Sequence, residues 1–512
     1  MHTQALLTGL ALTFTIPLTS PTPPAFAVAD GCTAGVSSDV DGDGWADAVV
    51  ADPLATVSGQ PQAGRIVVLY GDADGRVGEG ARAELHQSSP GVGGGPEAGD
   101  RFGAALAMAD LDCDGYTDVV VGVPGEDIAG LADVGWVQVI RGAPGGLGAG
   151  AGSTQYSQAS FGHAAGAGDE FGYTVDAVED LGQGGTPEPD AYALAIGVPG
   201  ADSDAGALAV RAAFDGGSQT HWITQDSPGV SGASEPGDRF GAAVSCNYLS
   251  GIAGEIDCVV GVPKEKIGSR ANAGSAVLVE DIYYPDEYSG RSLSQNSPGV
   301  PGTAEAGDLY GSAVDTVLVG GTARIAIGAP GEGIGSREKA GAVQLFSSNT
   351  THVTPGAALT QNTPGVAGVA EKGDRFGSAV AWIAPGLGDP RTRLAVGVPR
   401  EDTKKGKDTG LVQVFRADLL SSDVSWTQQS PGVPGIAQPG DRFGEVVATI
   451  AGGTERVLLV GVPRDQQNPV GMVNVIPFGG GAPRAWVPGG SIPDPVGNSF
   501  GSAIGGVDGG SA

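Results

Sequence analysis

The sequence predicts an all-β chain folded as a seven-bladed β-propeller of four-stranded antiparallel blades, and three recurrences carry that expectation. Phe-Gly, once Tyr-Gly, falls at Phe102, Phe171, Phe240, Tyr310, Phe376, Phe443 and Phe500. Seven apolar stretches stop at a proline: Ala51-Asp52-Pro53, Gly122-Val123-Pro124, Gly197-Val198-Pro199, Gly261-Val262-Pro263, Gly328-Ala329-Pro330, Gly397-Val398-Pro399 and Gly461-Val462-Pro463. Seven stretches start at a glycine, as in Gly135-Trp136-Val137-Gln138-Val139 and Gly410-Leu411-Val412-Gln413-Val414. Successive Phe-Gly steps are 57 to 70 residues apart, the size of period that marks a propeller or an array.

The unit that begins at Asp100 gives each element its reason. Phe102 to Leu111 carries small apolar side chains that suit a strand crowded near a propeller axis. Thr117 to Val123 is apolar on both faces, as a strand between neighbouring sheets must be. Pro124 ends it because proline has no amide for the ladder. The glycine-headed stretch is the third strand, and a more polar fourth follows, as in Trp222-Ile223-Thr224-Gln225 and Trp426-Thr427-Gln428. Four strands per repeat make a propeller blade. The fourth leads into a loop of recurring text, Ser227-Pro228-Gly229-Val230 or Ser430-Pro431-Gly432-Val433, which ends at Gly-Asp before the next Phe-Gly. The aromatic is expected to pack between blades and its glycine to allow close backbone approach.

The two ends of the chain are complementary. The first unit has no Phe-Gly before it, and the last, Phe500-Gly501-Ser502-Ala503-Ile504, has a first strand and nothing after. The expectation is a ring closed by the C-terminal strand joining the N-terminal blade, which leaves no free sheet edge. The competing first strand is Thr33 to Ser38.

Composition sets limits on function. The 512 residues include 90 Gly and 35 Pro, which recur in period and so read as turns rather than disorder. A net charge of −31 argues against nucleic acid and against anionic membrane surfaces. Residues 1–27 read as a secretory signal, with an apolar run from Ala5 to Leu18 and a small-residue cleavage site at Ala25-Phe26-Ala27. The propeller then occupies residues 28–512, and no stretch is long and apolar enough to span a bilayer. Cys32 also raises the alternative of a lipid-anchored cysteine, although Ala29 stands where leucine is expected. Four cysteines in an exported chain suggest two disulfides. Cys246 and Cys258 flank one hairpin loop, leaving Cys32 and Cys113 for each other.

The chemistry concentrates in two loops between first and second strands. Asp39-Val40-Asp41-Gly42-Asp43-Gly44-Trp45-Ala46-Asp47 and Asp110-Leu111-Asp112-Cys113-Asp114-Gly115-Tyr116-Thr117-Asp118 both read D-x-D-x-D-G-x-x-D. Alternate carboxylates on a tight loop aim oxygens at one centre, glycine at position six makes the turn, and the carbonyl of position seven (Trp45, Tyr116) adds a ligand. That is an oxygen cage for a hard cation, Ca²⁺, and two structural calcium sites are expected. Glu179, Asp180 and Asp190 mark a degenerate third loop. Short turns ending at Arg324 and Arg456 leave no room for a cation in two later blades.

On these motifs the chain resembles the FG-GAP repeat proteins, whose best-known member is the propeller head of integrin alpha subunits. The resemblance covers nearly all of the mature chain. It implies an extracellular binding or adhesion role for a protein ligand, carried on a calcium-stiffened scaffold. A lectin is the alternative, with Trp136, Trp222, Trp426 and Trp486 as candidate sugar-stacking residues. A polysaccharide-cleaving enzyme is a third reading, although there is no H-E-x-x-H, no G-x-S-x-G and only four scattered histidines after the signal: His86, His163, His221 and His352. The expectation is a secreted, monomeric, non-enzymatic module. Its ligand face is expected opposite the calcium loops, on a mixed-charge rim that includes Glu126-Asp127, Lys264-Glu265-Lys266, Glu332, Arg337-Glu338-Lys339, Arg400-Glu401-Asp402 and Arg464-Asp465.

Overall fold

Glycine and proline punctuate the chain so regularly that nearly every ordered stretch is a short strand between tight turns. The computed structural model describes residues 35–506 apart from 150–151, 180–190, 215–216, 252–254, 284–287, 350–351, 367, 387–389, 419–420, 452–455, 468–470, 479 and 489–498. The expected signal segment, Cys32 and the first two residues of the competing first strand lie outside the described residues. Seven four-stranded antiparallel sheets form a ring, and the innermost strands touch their counterparts in the neighbouring blades. In blade two the strands are Ala105–Ala109, Asp118–Val123, Trp136–Ile140 and Ser153–Tyr156, from axis to rim. Blades three to seven repeat that order without crossovers.

Blade one draws on both ends of the chain. Ala503–Gly505 supplies its first strand and pairs antiparallel with Ala48–Asp52, with Ala51 opposite Ala503, Val50 opposite Ile504 and Val49 opposite Gly505. Gly35 to Ser38 is turn and coil, not a strand. The seam is also bonded by polar groups. Ser499 Oγ donates to buried Asp52 at 2.8 Å and accepts from the Leu54 amide at 3.0 Å, and Asp52 pairs with Arg65 at 3.4 Å.

The geometry explains why Phe-Gly and Gly-Val-Pro share one period: they are the two sides of one contact. All seven aromatics are fully buried. Each bridges the glycine that heads the third strand of the preceding blade, as Phe171 does with Gly135 and Phe240 with Gly206. The glycine after the aromatic then presses its carbonyl on the Gly-Val-Pro glycine of the preceding blade. A Cβ on Gly122 would lie 2.1 Å from the Gly172 oxygen, and one on Gly261 2.0 Å from the Gly311 oxygen. Blade one has Ala51 at this place, and its methyl is what a Cβ on Gly103 would meet at 3.0 Å.

A second contact joins the blades on the same face. Gln87, Gln225, Gln295 and Gln361, each three residues before a Ser/Thr-Pro-Gly-Val proline, donate from Nε2 to Glu126, Glu265, Glu332 and Glu401 of the next blade at 2.5 to 2.7 Å. Gln428 does the same to Asp465 at 2.7 Å. The mixed-charge rim is therefore only partly a rim. Its Glu126 and Asp465 are buried and its Glu265, Glu332 and Glu401 half-buried, all engaged at blade interfaces, whereas Lys264, Lys266 and Arg464 are exposed. These acids are less available to a ligand than the sequence suggested.

Cys246 and Cys258 stand directly opposite each other across the first and second strands of blade four and form a disulfide, with Cα atoms 4.0 Å apart. Cys113 is also disulfide-bonded. Cys32, which the sequence leaves for it, lies outside the described residues.

Candidate metal centre

In an antiparallel blade, the turn between first and second strands and the turn between second and third lie on opposite faces. The two aspartate loops fall on the first kind. Within loop one, left-handed backbone at Gly42 and Gly44 (φ 74° and 91°) folds the chain back on itself. Asp39 then accepts from the Gly42 and Gly44 amides at 2.7 and 2.8 Å, Asp41 from Asp43 at 3.1 Å, and Asp43 from Trp45 at 2.8 Å. These bonds aim one oxygen each of Asp39, Asp41 and Asp43 at a common region, with the three within 4.8 Å of one another.

Loop two repeats the design. Cys113 takes the left-handed place of Gly42 (φ 58°) and Gly115 that of Gly44 (φ 91°). Asp110 accepts from Asp114 and Gly115 at 3.2 and 2.9 Å, and Asp114 from Tyr116 at 2.9 Å. Here oxygens of Asp110, Asp112 and Asp118 fall within 4.8 Å of one another.

The ninth residue of the motif has a second duty that its place in the pattern does not reveal. Asp47 is fully buried and accepts from Val40 and Gly71, both at 2.8 Å, tying the loop to the end of the third strand. Asp118 accepts likewise from Leu111 at 3.0 Å and Gly142 at 2.9 Å. In blade four, which has no aspartate loop, Asp257 still does this work, accepting from Ser250 and Asp281 at 2.7 and 2.9 Å. The ninth aspartate is thus a brace whether or not a cation loop is attached.

Two groups near the second loop were not assigned to it from sequence. Glu179, expected in a third loop, reaches back one blade to accept from the Asp110 amide at 2.8 Å. Asp180 and Asp190, its expected companions, lie outside the described residues. Arg141 sets its guanidinium against Asp118 at 2.5 Å and Asp112 at 3.5 Å, so the second cluster already holds an internal cation. Tyr70 stands in the equivalent place beside loop one. The loops also pack on each other: a Cβ on Gly42 would meet the Tyr116 ring, and the Thr117 amide donates to the Asp39 carbonyl at 2.7 Å.

The electrostatics fit an oxygen-ligated cation. Burial, then repulsion from Asp43 and Asp41, raises the Asp39 carboxyl, and burial with Asp43 raises Asp41. Burial pushes Asp47 up to about 7 and Asp110 to about 7, the latter with repulsion from Glu179, Asp118 and Asp114. Burial raises Asp118 to about 6 against the opposing pull of Arg141. Carboxylates held together this way are destabilising when ionised, and a divalent cation removes the repulsion.

The tryptophans bear on the lectin reading. Trp486 is buried, Trp222 stacks on His163 with ring centres 4.2 Å apart, and Trp136 packs where a Gly94 Cβ would be. Only the Trp486 ring is thus fully covered by the protein itself; Trp136, Trp222 and Trp426 are half-buried.

Comparison with known proteins matches the FG-GAP repeat family over residues 102–140, which run from the Phe-Gly of blade two to the end of its third strand. This match joins the seven-bladed ring and its seven aromatic-glycine steps. The chain is a seven-bladed propeller that carries an FG-GAP repeat in its second blade. Among curated proteins, this propeller is similar to the phosphatidylinositol-glycan-specific phospholipases D of Rattus norvegicus (36% identical over 88 residues) and Mus musculus (35% over 88). Each match covers 17% of this chain and only 10% of the relative. Among solved structures it is similar to the Dos1 propeller, at a TM-score of 0.35 and 11% identity over 77% of this chain and 69% of that one. Among the described residues, no helix is long and apolar enough to cross a membrane.

Proposed function

We propose that this FG-GAP propeller is an extracellular binding module for a protein or cell-surface ligand, stiffened by Ca²⁺ at its two aspartate loops. The observation that carries the reading is the repeated convergence of three carboxylate oxygens in stacked loops of the same blade position. Asp39, Asp41 and Asp43 would hold one ion, and Asp110, Asp112 and Asp118 a second, with Asp47 bracing the first loop. The ion would supply charge neutralisation and a fixed loop geometry, with no reaction asked of it. An oxidising compartment agrees with the Cys246–Cys258 disulfide and with the signal expected at residues 1–27. No catalytic role is assigned to any residue. The similarity to phosphatidylinositol-glycan-specific phospholipases D covers a tenth of those enzymes, and we take it to reflect the propeller rather than their hydrolytic activity.

The metal half of the proposal is tested by thermal unfolding with Ca²⁺ and with chelator. Calcium is expected to raise Tm, and Asp41→Asn with Asp43→Asn to remove most of the increment from loop one. Equal Tm values in the two conditions would overturn it. For the binding half, a cell-surface protein panel and a glycan array run in parallel separate the protein ligand from the lectin alternative. Turnover of polysaccharides, or release of a glycan-anchored protein, would replace the module by an enzyme.

A further inference from the structure

Immediately before each described aromatic-glycine step of blades two to seven stands a non-glycine residue in left-handed backbone: Arg101, Glu170, Arg239, Leu309, Arg375 and Arg442, with φ between 56° and 61°. Such conformations persist where the surroundings over-determine them. Here each amide donates to a carbonyl of the preceding blade, from Arg101 to Gln62 through Arg442 to Asp408. The result is a ring of side chains on the face away from the aspartate loops, one per blade.

The two halves of this ring are neutralised differently. Glu170 lies between Arg101 and Arg239 and pairs with both, at 3.6 and 2.6 Å, and Asp133 and Asp204 add a further acid to each. On the other half, Arg375 and Arg442 occupy adjacent blades with no acid between them in the ring. Arg400 joins them, its amide bonded to the Asp374 carbonyl next to Arg375 at 3.3 Å. Among the described residues, neither Arg375 nor Arg400 has an ion pair. Arg442 and Arg464 share one carboxylate, Glu445, at 3.2 and 3.5 Å. Burial and the positive charges of Arg400 and Arg442 push the Arg375 guanidinium below its ordinary range, against the smaller opposing pull of Asp408 and Glu445. Beside this arc opens a cavity of about 600 Å³ lined by Glu445, Arg464, Asp465, Gln466, Ser499 and Ser502, among others. Crowded, partly buried guanidinia are unexpected in a chain of net charge −31, which has acids to spare for neutralising them.

We propose that this arc is a binding site for a tetrahedral oxyanion, a phosphate or sulfate group, free or as an ester on a larger ligand. Arg375 and Arg442 grip the group, and Arg400 and Arg464 flank it. Planar guanidinium forks suit tetrahedral oxyanions, and the partial burial strengthens the charge-assisted bonds. Free ion and ester make the same contacts, with the cavity taking the remainder of an ester. The assignment deepens the binding-module proposal and rests on it for the view that recognition lies on this face; it does not depend on calcium.

The test is calorimetric titration of the mature chain with sodium phosphate, sodium sulfate, glucose 6-phosphate and glucose 6-sulfate, at constant ionic strength held with chloride. Saturable binding of at least one is expected. Arg375→Asn and Arg442→Asn should each weaken it by about tenfold, asparagine being chosen because it tolerates left-handed backbone. Arg101→Asn, in the neutralised half, should leave affinity within about twofold. Stronger binding of an ester than of its free ion assigns the natural ligand to the ester class, and equal binding assigns it to the free ion. Absence of saturable binding overturns the proposal, as does equal weakening by Arg101→Asn, or unchanged binding in the Arg375→Asn and Arg442→Asn chains with unfolding transitions like the parent's. A chain that binds a protein or glycan partner but none of these anions would keep the module and remove this site.

Discussion

Tyr310 is the only hydroxyl-bearing member of the seven interblade aromatics, and it is fully buried with its oxygen lacking a hydrogen-bond partner. Six phenylalanines show that the ring alone fills the place. A buried, unbonded hydroxyl costs about 1–3 kcal/mol, so Tyr310→Phe should stabilise the protein by about 1 kcal/mol in urea unfolding. A loss of stability would show that the hydroxyl is bonded after all. Arg141 poses the opposite case, a charge that neutralises its neighbours. Its replacement by Gln leaves Asp112 and Asp118 without their internal cation. The calcium-free Tm should fall and the calcium-induced rise should grow; an unchanged rise would mean that Arg141 and Ca²⁺ do not compete for the second loop.

At the scale of the element, the Gln-to-Glu contacts carry a pH signature. Burial, with repulsion from Asp308 and Glu305, raises Glu332 from its ordinary 4.5 to about 7. Glu126 rises to about 8 for the same first reason. A carboxyl whose folded pKa is raised holds more protons native than unfolded, so stability falls as pH climbs from about 4.5 through about 7. Glu332→Gln keeps an acceptor for Gln295 and removes the charge. The variant should unfold at a higher temperature than the parent at pH 8 and at the same temperature at pH 4; a constant difference would rule out titration as the cause. These contacts also show where sequence reasoning stopped. Phe-Gly, Gly-Val-Pro and the aspartate loops are local strings, so their periodic recurrence exposes blades, turns and candidate ligands at once. Gln295 and Glu332 recur just as regularly, but they meet across a blade interface, 37 residues apart. Nothing local marks such an acid as turned inward rather than solvated. Glu179 was hidden in the same way: its partner Asp110 lies a full repeat earlier, 69 residues away.

For the whole molecule, closure was legible because the two ends are deficient in complementary ways, one lacking a first strand and the other having nothing else. The position of the last strand therefore followed from counting, whereas the Ser499–Asp52 bond that helps hold the seam did not. Deleting Ser499 to Gly506 would leave Val49, Val50 and Ala51 on an open, apolar edge, and such edges recruit other chains. The truncated protein is expected to lose its cooperative thermal transition and to self-associate in analytical ultracentrifugation. A monomer with the parent's Tm would mean that the ring does not need its last strand.

The split first blade also fixes an order of events during biosynthesis. A chain emerging from the ribosome amino end first has three strands of blade one available early. It must then hold the inner edge of that sheet unpaired while the chain from Leu85 to Ala503 is made. Blades two to seven can dock on one another as they appear, but the circle stays open until Ala503–Gly505 is made. Closure of the fold is thus tied to synthesis of that one strand, so a chain stopped before Ala503 has no closed state to reach and remains a substrate for chaperones and proteases.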